Sequence, residues 1–251
     1  MQEFILVLTI FFVSLISTIL SSMAGGGSSI ISVPIWLSLG FSFPLSTAIQ
    51  QVNSTFWVLP AARNYLRGAK IDWKFMIGFA LIGLIGVIFG VLFILSLPQR
   101  TLEIIVGSII ILLVIYTFFK KEFGTVRTTV AHSVRRMLAY PFALVMGFYE
   151  SIFGSGNGIF FSAVAIYTRG FVLKEALGYY YAIAFPWVLL SAVLLISKGY
   201  YNIPFMIAGV IGSVIGGYVG SRYAAYKGNK FIKIIFCVIG LVLGLKLLLG
   251  L

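Results

Sequence analysis

Gly25, Gly26 and Gly27, followed by Ser28 and Ser29, interrupt one very apolar run, and Gly154 to Gly158, reading Gly-Ser-Gly-Asn-Gly, interrupt a second. Irregular backbone at membrane depth is tolerated only where it lines a cavity or is packed in protein. A helix restarting at such a break, near Ser28 or near Gly158, leaves its first N–H groups unpaired, with roughly half a positive charge there. Glycine puts no side chain in the way of those groups. Ser28, Ser29, Ser155 and Asn157 add neutral donors beside Gly156 and Gly158. The chemistry implied is capture of a small anion without burying lysine or arginine. The competing reading, glycine as a device for close helix packing, is the one adopted for Gly86/Gly90 and Gly216/Gly220.

Further polar side chains fall inside apolar segments. Gln50, Gln51, Asn53, Ser54 and Thr55 cluster in one of them and cannot all face lipid cheaply. Gln50, Gln51 and Asn53 are expected at the cavity, with helix–helix hydrogen bonding as the alternative. Tyr179 and Tyr180 can bring hydroxyls to the same place, whereas Tyr181 suits an interfacial aromatic belt equally well. Glu150 is the one carboxylate placed well inside the membrane, one turn before the second glycine break. An ionised acid there is costly, so Glu150 is expected to be protonated, paired or functional. As a functional group it would carry a proton coupled to anion movement; as a structural one it would bond a neighbouring helix.

These residues require membrane-spanning helices to hold them. The chain has 251 residues, of which 61% are hydrophobic and 10% charged, and its mean hydropathy is +1.10. That composition describes an all-α polytopic membrane protein. Apolar spans are read at Pro44 to Ala62, Trp73 to Leu97, Leu102 to Phe119, Ala176 to Ile196, Ile203 to Val219 and Phe231 to Leu249. Phe4 to Leu39 and Tyr140 to Thr168 are each too long for one span and awkward for two, so each is expected to form a V with the glycines at its tip. The leading Met-Gln-Glu lacks the positive charge of a signal peptide, so the first segment is taken as mature protein.

The chain also resembles itself at a shift of 130 residues: Gly26 falls on Gly156, Gly40-Phe41 on Gly170-Phe171, Phe75 to Ile77 on Phe205 to Ile207, and Gly90 on Gly220. Two transmembrane repeats follow, residues 1–119 and 140–251, joined by a basic linker at 120–139. Equivalent loops carry opposite charge bias. Arg63, Arg67, Lys70 and Lys74 sit in one loop whose partner holds only Lys198; the next pair reverses the pattern, with Arg222, Lys227, Lys230 and Lys233 in the second half. By the positive-inside rule the repeats are inverted, each a broken or re-entrant pair plus three spans, with the linker cytoplasmic and both termini outside the cell membrane.

Several function classes fall away. The net charge of +12 lies in short loops and lacks the aromatic interleaving of a nucleic-acid groove. Cys237 alone makes neither a disulfide nor a metal site, no metal-ligand spacing occurs, and no phosphate-binding loop or other cofactor motif is present. An intramembrane hydrolase using Ser155 needs a base, and with the single histidine, His132, in the linker it stays a lesser alternative that requires Glu150 or a lysine in that role.

The glycine tip followed by Val33-Pro34, the loop Leu-Arg-Gly-Ala-Lys-Ile-Asp-Trp from Leu66 to Trp73, and the duplicated architecture together resemble the sulfite exporter TauE/SafE family across nearly the whole chain. That resemblance implies a permease for small sulfur-containing anions such as sulfite or organosulfonates. Where that family shows Thr-Ser early in the span after each V, this chain has Ile49-Gln50 and Tyr179-Tyr180. The expected function is therefore secondary transport by alternating access at the two tips, with Glu150 as the proton-coupling candidate; the alternative is a passive anion channel. Partners are a small inorganic or organosulfur anion and membrane lipid, and the sequence leaves the oligomeric state open.

Overall fold

The computed structural model describes residues 2–93, 136–152, 154 and 156–250, and within 94–135 it describes 100, 104, 107, 108, 111, 112, 114, 115, 118, 119 and 124–127. Nine helices are defined among the described residues: α1 (Gln2–Ala24), α2 (Ser28–Ser38), α3 (Phe43–Leu66), α4 (Trp73–Phe93), α5 (Tyr140–Ile152), α6 (Asn157–Arg169), α7 (Leu173–Ser197), α8 (Ile203–Lys227) and α9 (Asn229–Leu249). These residues include no strand. Half of the sequence-derived span at Leu102 to Phe119 and most of the linker fall outside the described residues.

Local chemistry sets the helix ends. Ser42 caps α3 by accepting from the Leu45 amide, with Pro44 in the first turn. Asp72 and Asn202 cap α4 and α8 in the same way, through the amides of Phe75 and Phe205. α1, α4, α7 and α8 are long and apolar enough to cross a membrane. α3 is as long, at 24 residues, but its centre is polar, and Gln50, Gln51, Asn53, Ser54 and Thr55 are all buried. The outer surface is the apolar one: Phe12, Leu81, Phe89, Leu92, Ile207 and Ile211 are exposed. That inversion of the usual pattern fits a lipid solvent. The chain is a multi-pass, all-α membrane protein.

α2 and α6 have 11 and 13 residues, so each runs only about 16–20 Å, short of the roughly 30 Å hydrocarbon core. Each is the short second arm of a V whose tip is a glycine stretch. α5, at 13 residues, is also short, whereas α1 is full length.

Contacts at small residues fix the helix directions. Gly212 lies against Phe11 and Leu15, Gly216 against Leu15 and Ile19, and Gly220 against Ile19 and Ser22, so α1 and α8 run parallel. Gly86 lies against Leu144 and Phe148, and Gly90 against Phe148 and Ser151, so α4 and α5 run parallel too. These are the packing glycines expected from sequence. α3 runs parallel to α8, touching it from Asn53 at Gly209 to Asn64 at Ser221. α7 crosses α3 in the opposite sense, with Gly178 against Tyr65 and Leu66. α4 lies parallel to α7, with the Asp72 amide at Tyr179 and the Ala80 carbonyl at Trp187.

One face of the molecule therefore collects the end of α3 and the beginnings of α4, α7 and α9. The Lys174 amide donates to Asn229 Oδ1 at 3.0 Å across it. An ion pair between Arg127 and Glu175 attaches the linker to the same face. Both strongly basic loops open there.

Candidate functional site

The two glycine tips touch. The Gly25 carbonyl lies so close to Gly158 that a Cβ on Gly158 would sit 2.0 Å from it. Gly26 looks onto the Gly154 carbonyl, the Gly156 amide and the Tyr180 hydroxyl at 3.5–3.7 Å from where its own Cβ would be. Gly25, Gly26 and Gly27 have φ of 89°, 107° and 122°, a region L side chains rarely adopt, so backbone alone forms this tip.

Beside the contact lies a chamber of about 20 Å³, measured as space for the centre of a water-sized sphere. That is room for about one water. Its wall comes from four elements: Ser21, Gly26, Gly27, Ser28 and Ser29 from the first V; Gln50, Gln51, Ser54, Trp57 and Val58 from α3; Glu150 and Gly154 from the second V; and Tyr180 from α7. No lysine or arginine is among these lining residues.

The wall is ordered by its own hydrogen bonds. Gln50 Nε2 donates to Ser28 Oγ at 2.7 Å and to Ser54 Oγ at 3.2 Å, while Gln50 Oε1 accepts from Ser32 Oγ at 2.9 Å. Gln51 Nε2 donates to the Glu150 carbonyl at 2.9 Å and so ties α3 to the second V. Glu150 is 6% exposed, and its Oε2 accepts from Asn157 Nδ2 at 2.6 Å and from Tyr180 Oη at 2.9 Å. Two lining donors are left over. Ser21 Oγ and Trp57 Nε1 are buried without a hydrogen-bond partner among the described residues. Leaving such groups unpaired costs about 1–3 kcal/mol each, which a polar occupant would recover.

The sequence-derived site residues thus divide. Gly26, Gly27, Ser28, Ser29, Gln50, Gln51, Glu150 and Tyr180 meet at the chamber. Gly25, Gly156 and Gly158 form the contact between tips rather than the wall. Asn157 reaches Glu150 and the Met146 carbonyl, so it braces the second V. Asn53 turns toward α1 and α8, donating to Ser14 Oγ at 3.3 Å. Tyr179 accepts from the Asp72 amide at the basic face, away from Tyr180, because successive helical residues diverge by about 100°. Tyr181 forms no interfacial belt: it is fully buried and donates to the Ser21 and Ser22 carbonyls. Ser155 lies outside the described residues.

The expected free amides are also unequal. At the second tip the Asn157 amide donates to the Gly154 carbonyl, and those of Ile159 and Phe160 donate to Gly156. At the first tip Ser21 accepts from the amides of Gly25 and Gly26, while those of Gly27 and Ser28 have no recorded partner among the described residues. Ser21 and Trp57 were not picked out from sequence. For Trp57 the signal was present: it lies seven residues, two helical turns, after Gln50 and on the same face.

Comparison with known proteins bears on the class of the whole chain. The chain is 27% identical over 246 residues to the "Probable membrane transporter protein ORF9" of a Sinorhizobium species, covering 95% of this chain and 91% of that protein. It is 24% identical over 246 residues to the "Probable membrane transporter protein YfcA" of Escherichia coli K12, covering 95% and 88%. No solved structure matches. The profile of the sulfite exporter TauE/SafE family matches residues 10–247, and the chain belongs to that family of membrane transporters.

Proposed function

We propose that this protein is a secondary transporter that moves a small sulfur-containing anion, sulfite or an organosulfonate, across the cytoplasmic membrane by alternating access. The observation that carries the reading is the meeting of two broken-helix tips at a small chamber walled by neutral donors and one carboxyl group, Glu150. Such a wall offers hydrogen bonds to an oxyanion without holding it as tightly as a buried cation would. The relatives' names as transporters and the family's description as sulfite exporters support the substrate class.

The inverted repeat belongs to this reading. In support of it, the contacts of Gly216 and Gly220 with Leu15, Ile19 and Ser22 recur as those of Gly86 and Gly90 with Leu144, Phe148 and Ser151, the glycines shifted by 130 residues and their partners by 129. α3 and α7, themselves equivalent, cross antiparallel, as a pair related by an axis in the membrane plane must. The positive-inside rule then makes the basic face cytoplasmic and the termini external. Residues 1–119 and 140–251 act as the two repeats, joined by the linker at 120–139.

Alternating access needs two gates, and equivalent aromatic pairs supply them. Phe75 and Phe171 meet edge to face at 5.9 Å toward the basic face; their equivalents Phe205 and Phe41 stack at 5.1 Å toward the other. Only the first pair is latched by charge. Arg169 stacks 4.0 Å over Phe75 and pairs with Asp72 at 3.2 Å. The equivalents of that ion pair are Leu39 and Asn202.

Glu150 is the coupling group. An ionised carboxylate in the chamber wall repels an anion and a protonated one does not, so the anion and one proton are taken up together. The test is counterflow in proteoliposomes with sulfite, thiosulfate, taurine, sulfoacetate and sulfate. Saturable, trans-stimulated exchange of a sulfur anion is expected. Unsaturated conductance would make the protein a pore, and no response to any of these anions would remove the substrate class.

A further inference from the structure

A second cavity lies outside the chamber, and nothing in the transport reading uses it. It is a groove of about 890 Å³ at the C-terminal end of α3, lined among others by Leu59, Pro60, Arg63, Asn64, Arg67 and Tyr218. Asn64 closes its floor, donating through Nδ2 to the Tyr218 carbonyl and to Ser221 Oγ, and so seams α3 to α8. Arg63, in the last turn of α3, and Arg67, which follows its end, are exposed, and neither has an ion pair or hydrogen bond among the described residues. Arg222, one turn beyond Tyr218, donates to the Tyr218 hydroxyl at 2.7 Å. The one acid in the loop after α3, Asp72, is committed to Arg169.

The two ends of the groove differ in kind. Leu59 and Tyr218 are 46% and 42% exposed on the lipid-facing surface. From Leu59 to Arg67 the helix rises about 12 Å, passing from apolar wall to guanidinium groups at the basic face. A free anion would need only the arginines. A molecule with a phosphate at one end and hydrocarbon at the other fits the whole length. Guanidinium forks grip phosphate oxygens in pairs, and basic pockets between membrane helices select anionic headgroups on this ground.

We propose that this groove binds an anionic phospholipid, with its phosphate on Arg63 and Arg67 and its upper acyl chain along Leu59 and Tyr218. Because α3 also carries Gln50, Ser54 and Trp57, the lipid rests on the helix that walls the chamber, at the far side of Pro60. The site requires nothing of the transport reading, and its test does not measure flux.

The full chain, delipidated in detergent, is followed by native mass spectrometry and thermal unfolding while phosphatidylglycerol, phosphatidylcholine or glycerol 3-phosphate is added. Phosphatidylglycerol should bind and raise the melting temperature; phosphatidylcholine and glycerol 3-phosphate should not. Each basic side chain near a membrane surface is worth about fivefold, so Arg63→Gln with Arg67→Gln should weaken phosphatidylglycerol binding about 30-fold. The same pair changed to lysine keeps the charge but loses the paired guanidinium grip, so its affinity should fall between those of the parent and the glutamine variant. Equal affinity in the glutamine variant and the parent overturns the assignment. So does equal binding of phosphatidylcholine, or an arginine-dependent shift with glycerol 3-phosphate, which would make the groove a site for a soluble anion.

Discussion

Replacing Gly158 by alanine tests the contact on which the chamber depends. Gly158 lies in α6 with an ordinary helical backbone, so alanine brings no conformational strain, only a clash. The new Cβ would sit 2.0 Å from the Gly25 carbonyl oxygen and 2.7 Å from Tyr180 Cδ1. An optimal separation is near 3.5 Å, so the tips must part by about 1.5 Å. Overpacking of this size costs about 1–3 kcal/mol. Displacing Tyr180 and the Gly26–Gly27 backbone should also lose at least one hydrogen bond to a charged ligand, worth about 1.5–3 kcal/mol, so anion affinity should fall about 10- to 100-fold. Gly86→Ala is the matched control. Its Cβ would meet the Leu144 carbonyl oxygen at the same 2.0 Å, again between helices, but away from the chamber. Both variants should melt lower than the parent by similar amounts. Titration calorimetry with sulfite on the folded protein should show weaker binding only in Gly158→Ala. If Gly158→Ala folds and binds as the parent does, or if Gly86→Ala loses affinity equally, the tips do not form the site.

Three other changes probe the chamber and its gates. Glu150→Gln keeps an oxygen able to accept from Asn157 and Tyr180 but removes the titrating proton, so anion transport should continue and lose its dependence on a pH gradient; an unchanged dependence in proteoliposomes rules out the coupling role. Trp57→Phe keeps a ring against Tyr181 and deletes only the unpartnered N–H, so stability should hold while anion affinity drops about tenfold, the worth of one charge-assisted bond; full affinity would place the anion elsewhere. Asp72→Asn can still cap the Phe75 amide but breaks the pairing with Arg169, turning this gate into a likeness of its counterpart at Asn202. A half-exposed ion pair contributes up to about 1 kcal/mol, so a cysteine introduced at Ser54 in a Cys237→Ser background should label from the basic face up to about fivefold faster; no acceleration shows that the pair is not a latch.

Most of the frame was legible in the sequence because its signals are one-dimensional. Apolar length marks the spans, as at Trp73 to Phe93, and glycine runs mark the breaks at 25–27 and 154–158. The helix ends are written in Ser42, Asp72 and Asn202 for the same reason, since capping is local. The wall of the chamber was only partly legible, because helical register decides which side chain turns inward. Gln50, Ser54 and Trp57 share a face; Asn53 lies about 60° from Gln50 and about 100° from Ser54, Tyr179 lies about 100° from Tyr180, and both point to other partners. Reading a polar cluster as one site, without laying it on a helix, merges faces that the fold separates. The Asp72–Arg169 and Arg127–Glu175 pairs lie beyond any such reading, since their partners are 97 and 48 residues apart.

The proposed repeat, in which residues 130 apart correspond, would account for the frame but not for the chemistry inside it. Gln50 and Tyr180 occupy equivalent positions and enter one chamber from opposite sides, one with an amide and one with a phenol. Trp57 and Trp187 correspond in the same way, yet the indole of Trp187 donates to the Ala80 carbonyl at 2.8 Å, whereas that of Trp57 has no partner among the described residues. The one carboxylate in the wall, Glu150, comes from the second V, and the first V contributes no acid to it. Two identical halves would give a chamber with equal walls and equal gates. Here the first half supplies the uncommitted donors, Trp57 and Ser21, and the second supplies the acid. An oxyanion between them sees donors on one side and a protonatable group on the other. An interior divided in this way can join anion movement to proton movement, and in the proposed mechanism the unequal residues, not the shared glycines, select the anion.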